Sequence, residues 1–321
     1  MNKINICLAI DDNYIPPCLV TISSILKNRN LDEFIHFYIL SGQLKERSID
    51  FIKEITNLYN NVSLTFIEVD ISLFQKYHTE TWGLATAYRL KVASIFKNID
   101  KILYLDSDIY VTKSLWDLYN TDITNVYGVL VPDIWQETQK RRFPYKKQTY
   151  FNAGIFLINI DKWRCDNIEY KLDEYFDKNK NDIIYPDQDP INVVLDGNIV
   201  ELSYKYNFAF SPIKNECLLS DDYQTASKNP TIIHYIFNKP WRTSIYDTKD
   251  DRYVAFYFGE VNSFPAEIRK FCNKYHQTIL VKKFRYKLFD KITILKLREY
   301  TTCKKWYLFG FLPLLTIYKN K

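Results

Sequence analysis

Apolar and polar positions fall into two alternating patterns along this chain, and their order predicts a fold. Short apolar runs at residues 4–10, 34–40, 62–69, 102–105, 127–131 and 150–160 read as strands. A β-branched and aromatic run without alternation suits a sheet covered on both faces. Between these runs the spacing becomes helical. Cys18, Leu19, Ile22, Ile25 and Leu26 form one stripe behind Pro16 and Pro17, which suit a helix's first turn. Phe51, Ile55 and Leu58 form a second over residues 47–60, and Leu84, Tyr88, Val92 and Ile95 a third over 84–96. Strand alternating with helix predicts an α/β fold with a mainly parallel sheet and crossover connections. Further on, Asp161 is placed to cap an amphipathic helix reaching Lys180, and another helix starts near Asp187 with Ile191, Val194 and Leu195. Residues 199–202 and 231–236 read as later strands.

The run at 102–105 leads straight into Asp106-Ser107-Asp108. Residues two apart in extended chain project to the same side, so both carboxylates converge at the strand's carboxyl edge. That edge is where open α/β sheets bind ligands. Two close carboxylates repel unless a cation lies between them, and hard oxygen ligands suit Mg²⁺ or Mn²⁺. The other reading is a polar turn in which both side chains cap residues 114–120. Arg89 either reaches these carboxylates from the preceding helix or is solvated. Asp133 and Trp163 belong either to a site or to the core, with the core favoured for Trp163. Residues 136–149 are polar and basic without a clear period, the length of a lid loop.

Composition narrows the chemistry. The chain's 321 residues permit one large domain or two smaller ones. Only 7 are glycine, and no two are spaced for a Gly-x-Gly-x-x-Gly turn or a P-loop. Any phosphate bound here therefore needs a metal and a basic side chain. The six cysteines form no Cys-x-x-Cys pair and read as core or incidental thiols. With an amino terminus that runs directly into a strand-like segment, they place the protein in a reducing cytoplasm. No segment offers the ~20 continuous apolar residues that cross a bilayer.

Charge is uneven. From Val281 onward there are 11 Lys or Arg against 2 Asp or Glu, whereas the rest of the chain has 32 against 36. This argues against a general nucleic-acid surface and for an anionic partner at the carboxyl end. There Phe284, Leu288, Ile292 and Leu295 keep helical spacing among Lys282, Lys283, Arg285, Lys287, Lys291, Lys296 and Arg298. The aromatic stretch at 306–315 that follows is too short to span and is interrupted by Gly310 and Pro313. The pattern predicts a basic amphipathic helix with an aromatic wedge, an interfacial anchor on anionic lipid. The alternative is a terminal helix packed on the body of the protein. Residues 1–275 are expected to form the main domain and 276–321 this tail.

Six clusters then fall in order: Ala9 to Tyr14 (Ala-x-Asp-Asp-Asn-Tyr), Tyr88 to Leu90 (Tyr-Arg-Leu), Leu105 to Asp108 (Leu-Asp-x-Asp), Phe151 to Gly154 (Phe-Asn-Ala-Gly), Asp187 to Asp189 (Asp-Gln-Asp) and His234 to Trp241 (His-Tyr-x-x-x-Lys-Pro-Trp). Together they resemble glycosyltransferase family 8, the retaining enzymes that include bacterial galactosyl- and glucosyltransferases extending lipopolysaccharide or related surface glycans. The resemblance covers about the first 240 residues. It implies a GT-A fold, a Rossmann-like sheet merged with an acceptor-binding half, a UDP-galactose or UDP-glucose donor, and Mn²⁺ or Mg²⁺. Carried over by position, Asp106, Asp108 and His234 would ligate the metal, with Ser107 beside them on the donor. Ala9, Asp11, Asn13 and Tyr14 would hold uracil and ribose. Arg89, Asn152, Asp187 and Gln188 would line the sugar, and Lys239 would neutralise the diphosphate. The chain departs from the family pattern where Ile236-Phe237-Asn238 fills a shorter gap before Lys239.

Retention is implied by the likeness alone. A double displacement needs a nucleophile beneath the sugar, where retaining hydrolases place a carboxylate. The corresponding residue is Gln188, a poor nucleophile. The expectation is front-face attack, with a donor phosphate oxygen taking the acceptor proton and Gln188, Asp187 and Asp189 forming the catalytic group. The acceptor would be a glycan or glycolipid, met at the anionic inner face of the cytoplasmic membrane. Two other classes remain: a metal-dependent phosphatase using Asp106 and Asp108, although the local sequence lacks Asp-x-Asp-x-Thr, and a non-catalytic membrane- or glycan-binding protein.

Overall fold

A computed structural model describes residues 2–79, 83–135, 149–210, 219–236, 239–241 and 251–275, together with four strands between 280 and 318. The chain divides into two compact units, residues 1–234 and residues 235–321. Of the predicted lid, residues 136–149, all but residue 149 lie outside the described residues.

The first unit is built on a seven-stranded sheet with the order β3-β2-β1-β4-β7-β6-β8. Its strands are β1 (Asn2–Ala9), β2 (Glu33–Ser41), β3 (Val62–Glu68), β4 (Lys101–Leu105), β6 (Gly128–Pro132), β7 (Phe151–Asn159) and β8 (Ile199–Glu201). Strands β3, β2, β1 and β4 are mutually parallel, β7 alone runs against its neighbours, and β8 is parallel to β6. The apolar runs form strands because both faces are covered: Ile4, Ile6, Leu8, Ile102, Leu103, Leu105, Phe156 and Leu157 are all fully buried. Each such aliphatic side chain contributes roughly 1.5–3 kcal/mol relative to exposure.

From β1 the chain moves outward to β2 and β3, then crosses back to β4 on the other side of β1. This reversal makes a switch point, a crevice between the carboxyl ends of β1 and β4. Leu8 pairs with Leu105, so Asp11 and Asp106 leave the sheet at the same edge. Because β7 is antiparallel, its start, Phe151 and Asn152, lies at that edge too. A small second sheet pairs β5 (Ile109–Val111) with β9 (Ile232–His234), setting His234 opposite Ile109.

The helices mostly follow the predicted stripes, with informative differences. Helix α1 (Ile15–Asn28) carries Pro in its first turn and is buried on nearly every side. Helix α2 (Glu46–Thr56) stops short of Leu58, which is 58% exposed. Residues Leu84–Lys91 wind as a 3₁₀ helix, with the α-turn confined to Val92–Ile95. The single helix expected up to Lys180 is two, Ile160–Cys165 and Ile168–Asn179. It breaks at Asn167, whose φ of 52° is left-handed, a conformation asparagine tolerates better than most residues. Its first cap is Asn159, accepting from Lys162 N–H, in place of Asp161. Asp106 and Asp108 cap nothing at 114–120; there the Ser114 hydroxyl accepts from Trp116 N–H.

The second unit contains the helices Asp251–Ser263 and Ala266–Tyr275 and a four-stranded antiparallel meander: β10 (Leu280–Leu288), β11 (Ile292–Tyr300), β12 (Cys303–Leu308) and β13 (Leu312–Tyr318). The predicted tail helix is therefore corrected to strands. Residues 283–288, Lys-Phe-Arg-Tyr-Lys-Leu, alternate with period two, and this pattern prevails over the i, i+4 spacing that the same residues also satisfy.

Candidate active site

The crevice at the switch point is lined first by the turn after β4. Thr21 of α1 donates its hydroxyl to the carbonyls of Ser107 (3.1 Å) and Ile109 (2.9 Å), which pins that turn to the helix. Ser107 and Asp108 are buried, and Asp106 is partly open. His234, at the end of β9, places Nε2 3.2 Å from Asp108 Oδ1 and 3.6 Å from Asp106 Oδ2. One ligand atom from each of the three residues lies within 4.8 Å of the others. Two hard oxygens and one imidazole nitrogen fit a divalent cation such as Mn²⁺ or Mg²⁺. The strand beside them leaves no room for a side chain: a Cβ on Gly154 would overlap His234 Cε1 and come within 2.6 Å of Asp106 Oδ2.

Arg89 is buried and is the charge that joins the two sides of the crevice. Its Nη2 is 2.6 Å from Asp106 Oδ1 and its Nε 3.1 Å from Asp187 Oδ2. It also donates to the carbonyls of Ala153 (2.5 Å) and Thr86 (3.0 Å) and stacks 4.4 Å from the Tyr104 ring centroid. Burial opposes its charge, but the carboxylates of Asp106 and Asp187 outweigh that and hold its pKa above the ordinary arginine value. Burial pushes the Asp187 carboxyl up, with Arg89 working in the opposite direction. Of the two readings of Arg89, the solvated one is excluded.

A band of neutral amides lies next to these charges. Gln188, the first residue of the helix Gln188–Val194, accepts at Oε1 from Asn152 Nδ2 (3.1 Å) and Ala153 N–H (3.0 Å), and donates from Nε2 to Asp133 (2.8 Å). Asn152 accepts from Gly154 N–H and from Asn207 Nδ2, and Asn207 Oδ1 lies 2.9 Å from His234 Nδ1. All of these side chains are buried. Asp189 is fully buried with both oxygens committed: Tyr150 donates to one, and the N–H groups of Ile184 (2.8 Å) and Tyr185 (3.0 Å) to the other. Burial and that carboxylate push the Tyr150 phenol well up, so it remains a donor.

The remaining predicted residues are placed as follows. Ala9 ends β1. Asp11 accepts from the N–H groups of Asn13 (2.9 Å) and Tyr14 (3.2 Å), which makes a short 3₁₀ turn of residues 12–14 beside the crevice. Lys239 belongs to the second unit, where its ammonium lies 5.6 Å from the Trp241 ring centroid. Trp163 is core, with its indole N–H on the Tyr127 carbonyl. Asp133 falls on the site side through Gln188. Asn207 went unnoticed in the sequence, because the residues around it carry no motif and no periodicity.

Comparison with known proteins gives one consistent picture. The profile described as glycosyl transferase family 8 matches residues 5–244. A lipopolysaccharide 1,2-glucosyltransferase of Escherichia coli is 29% identical over 251 residues, covering 74% of this chain and 73% of that protein. A lipopolysaccharide 1,3-galactosyltransferase of Salmonella typhimurium is 27% identical over 255 residues, covering 75% and 74% respectively. Among solved structures, the galactosyltransferase LgtC in complex with donor and acceptor sugar analogues aligns with a TM-score of 0.68 at 26% identity, over 83% of this chain and 99% of that one. Its likeness extends to the mixed α/β sheet with flanking helices.

Proposed function

Because the chain belongs to glycosyl transferase family 8, we propose that it is a retaining hexosyltransferase that moves galactose or glucose from a UDP-sugar to a lipopolysaccharide, lipooligosaccharide or related surface-glycan acceptor. The observation that carries this reading is the convergence of Asp106, Asp108 and His234 at the switch point, beside Arg89, Asp187 and Gln188. The names of the relatives, a glucosyltransferase and a galactosyltransferase, support the substrate class and leave both hexoses in play.

Asp106, Asp108 and His234 would hold the divalent ion, Mn²⁺ or Mg²⁺, through two carboxylates and one imidazole. An ion held by these residues would supply positive charge against the second negative charge that a departing nucleoside diphosphate acquires. Ala9, Asp11, Asn13 and Tyr14 receive uracil and ribose where β1 ends, with Ser107 alongside. Lys239 is matched to the diphosphate by its place in the His-Tyr-x-x-x-Lys-Pro-Trp motif. Arg89, Asn152, Asp187 and Gln188 line the sugar. Gln188 is held at both ends of its amide, and Asp187 is paired with Arg89. Asp189 has no free oxygen, so its part is to fix the loop that presents Asp187 and Gln188. None of these groups is set up as an unencumbered nucleophile, which supports front-face attack over a covalent intermediate.

The test is a hydrolysis screen of UDP-sugars with Mn²⁺, followed by the best donor against truncated cell-surface glycans. Metal-dependent cleavage of UDP-galactose or UDP-glucose and transfer to one glycan is the expected result. Release of inorganic phosphate from generic esters, with UDP-sugars untouched, would overturn it in favour of a phosphatase.

The carboxyl-terminal meander supports a membrane-facing role by a route other than a helix. By strand register, positions Phe284, Leu297, Trp306 and Leu315 share one face with Tyr286, Leu295 and Leu308. Positions Lys283, Arg298 and Lys305 share the other with Arg285 and Lys296. No helix among the described residues is long and apolar enough to cross a membrane. These central positions segregate apolar from cationic residues, although Lys282, Glu299 and Lys304 share the apolar side at its end, and such a pattern would suit association with the anionic inner surface of the cytoplasmic membrane, where a glycolipid acceptor is presented. Full-length protein should pellet with anionic vesicles at low salt. Glutamate at Lys283, Arg285, Arg298 and Lys305 should abolish pelleting, and unchanged sedimentation would remove the membrane role.

A further inference from the structure

Only a ring nitrogen with a free lone pair binds a cation, so the competence of His234 depends on which nitrogen carries its proton. In water the neutral histidine ring favours the proton on Nε2. Here Nε2 is the nitrogen that faces Asp106 and Asp108. A ligand role therefore requires the protein to reverse the default.

The surrounding amides supply the reversal, and its origin is a backbone group whose polarity cannot change. The Gly154 N–H can only donate, and it meets the Asn152 side chain at 3.0 Å, so the atom there is Oδ1. The same oxygen is 2.8 Å from the Asn207 amide, which must present Nδ2 to it. Asn207 then has only Oδ1 left for His234 Nδ1, at 2.9 Å. An oxygen facing Nδ1 calls for a proton on that nitrogen. A second backbone donor enforces the same direction: Ala153 N–H fixes Gln188 Oε1 at 3.0 Å, and that oxygen takes Asn152 Nδ2 at 3.1 Å. His234 and Asn207 are each 4% exposed, so water does not compete for these bonds.

We infer that Asn207 is a positioning residue for His234: it carries the fixed polarity of the Gly154 amide to Nδ1, holds a proton on that nitrogen, and so makes Nε2 the nitrogen that would meet an ion between the two carboxylates. The ligand role of His234 rests on the ion-binding reading above, whereas the proton on Nδ1 follows from the amide chain with or without an ion. One consequence is that the sugar-side amides and the ion-side imidazole share a single hydrogen-bond polarity. Reversing any one amide in the chain would leave two like groups facing each other in a buried place.

The test uses the full-length protein, freed of metal and labelled with ¹⁵N-histidine, in long-range ¹H–¹⁵N NMR well above the usual histidine pKa of about 6.5. With four histidines in the chain, His234 is assigned by the signal missing from His234→Gln. The expected result is a protonated-type shift at Nδ1. Asn207→Leu should lose that signature and bind Mn²⁺ roughly 10–100-fold more weakly, read from the electron paramagnetic resonance of free Mn²⁺. An unprotonated-type shift at Nδ1 in the metal-free native protein overturns the inference, and this arm needs no variant to fold. A folded Asn207→Leu that keeps both the tautomer and the Mn²⁺ affinity also overturns it. Native protein that shows the Nδ1–H tautomer but takes up no Mn²⁺ refutes the ion site instead.

Discussion

The two halves of the crevice solve different problems. On one side Arg89 pairs with Asp106 and Asp187 while His234 faces Asp106 and Asp108, and the groups act through charge. On the other side Asn152, Gln188 and Asn207 act through direction, each amide donating at one end and accepting at the other. The charged half tolerates small displacements, because Coulomb energy falls slowly with distance. The amide half tolerates almost none, because a hydrogen bond weakens steeply once its angle closes. The first half is therefore suited to holding a divalent ion, which would offset charge on a leaving diphosphate, and the second, with Arg89 and Asp187 beside it, to holding a neutral hexose in one pose.

Substitution in the charged half should have the largest effect. Asp108→Asn keeps the shape of a buried side chain and removes one negative ligand. Turnover should fall roughly a thousandfold, with circular dichroism unchanged. Activity within a few-fold of native would remove Asp108 from the centre of the mechanism. Arg89→Met comes next and should show in stability as well as rate, since it strands Asp106 and Asp187 without their shared cation. Breaking a buried pair of this kind costs about 3–5 kcal/mol, readable as a lowered urea midpoint. An unshifted midpoint would mean that Arg89 is not the clamp described.

Legibility divides along the same line. Asp106 and Asp108 are two residues apart at the end of an apolar run, so short-range geometry was enough to pair them. The amide half is assembled from positions 133, 152, 188 and 207, which only the fold brings together. Family likeness pointed to Asn152 and Gln188, while Asn207 left no trace in the sequence. The central sheet was readable because burial on both faces writes itself as unbroken apolar runs. The carboxyl-terminal strands were misread because Phe284, Leu288, Ile292 and Leu295 satisfy a helical spacing, while residues 283–288 also alternate strictly, and only pairing with Ile292–Tyr300 decides between the two. The helix after β7 was drawn too long because nothing in the sequence marks Asn167 as left-handed.

The amide half offers a smaller and more selective break. Asp133 accepts from Gln188 Nε2 and Asn152 Nδ2 with one oxygen, and from Trp135 N–H with the other. Asp133→Asn leaves one oxygen for these three donors, so Gln188 loses its charged partner at a cost of about 1.5–3 kcal/mol. The expected outcome is a fall in kcat of roughly tenfold or more with Mn²⁺ affinity unchanged. If Mn²⁺ affinity falls in parallel with kcat, Asp133 acts on the ion through Asn152 and Asn207 as well as on the sugar through Gln188, and its assignment to the sugar side alone fails.

The smallest effect should come from a charged cluster that belongs to neither half. Asp173 receives the Tyr77 hydroxyl and lies 2.5 Å from Lys91 Nζ and 3.3 Å from Lys76 Nζ, tying the segment before the site to the helix Ile168–Asn179. Burial works to raise its carboxyl pKa, but the bonds from Lys91 and Tyr77 outweigh burial and hold it below the ordinary carboxylate value. A depressed pKa means that this carboxylate stabilises the fold above the unfolded value of about 3.9, and that the contribution disappears as pH falls through the lower folded value. Asp173→Asn should therefore cost about 1 kcal/mol or less near neutral pH, with the gap to native protein closing in acid. Urea unfolding at both pH values measures this, alongside an assay at neutral pH that should not change. A large loss of activity with little loss of stability would show that charge outside the crevice also reaches the reacting groups, and the charged half would have to be drawn wider.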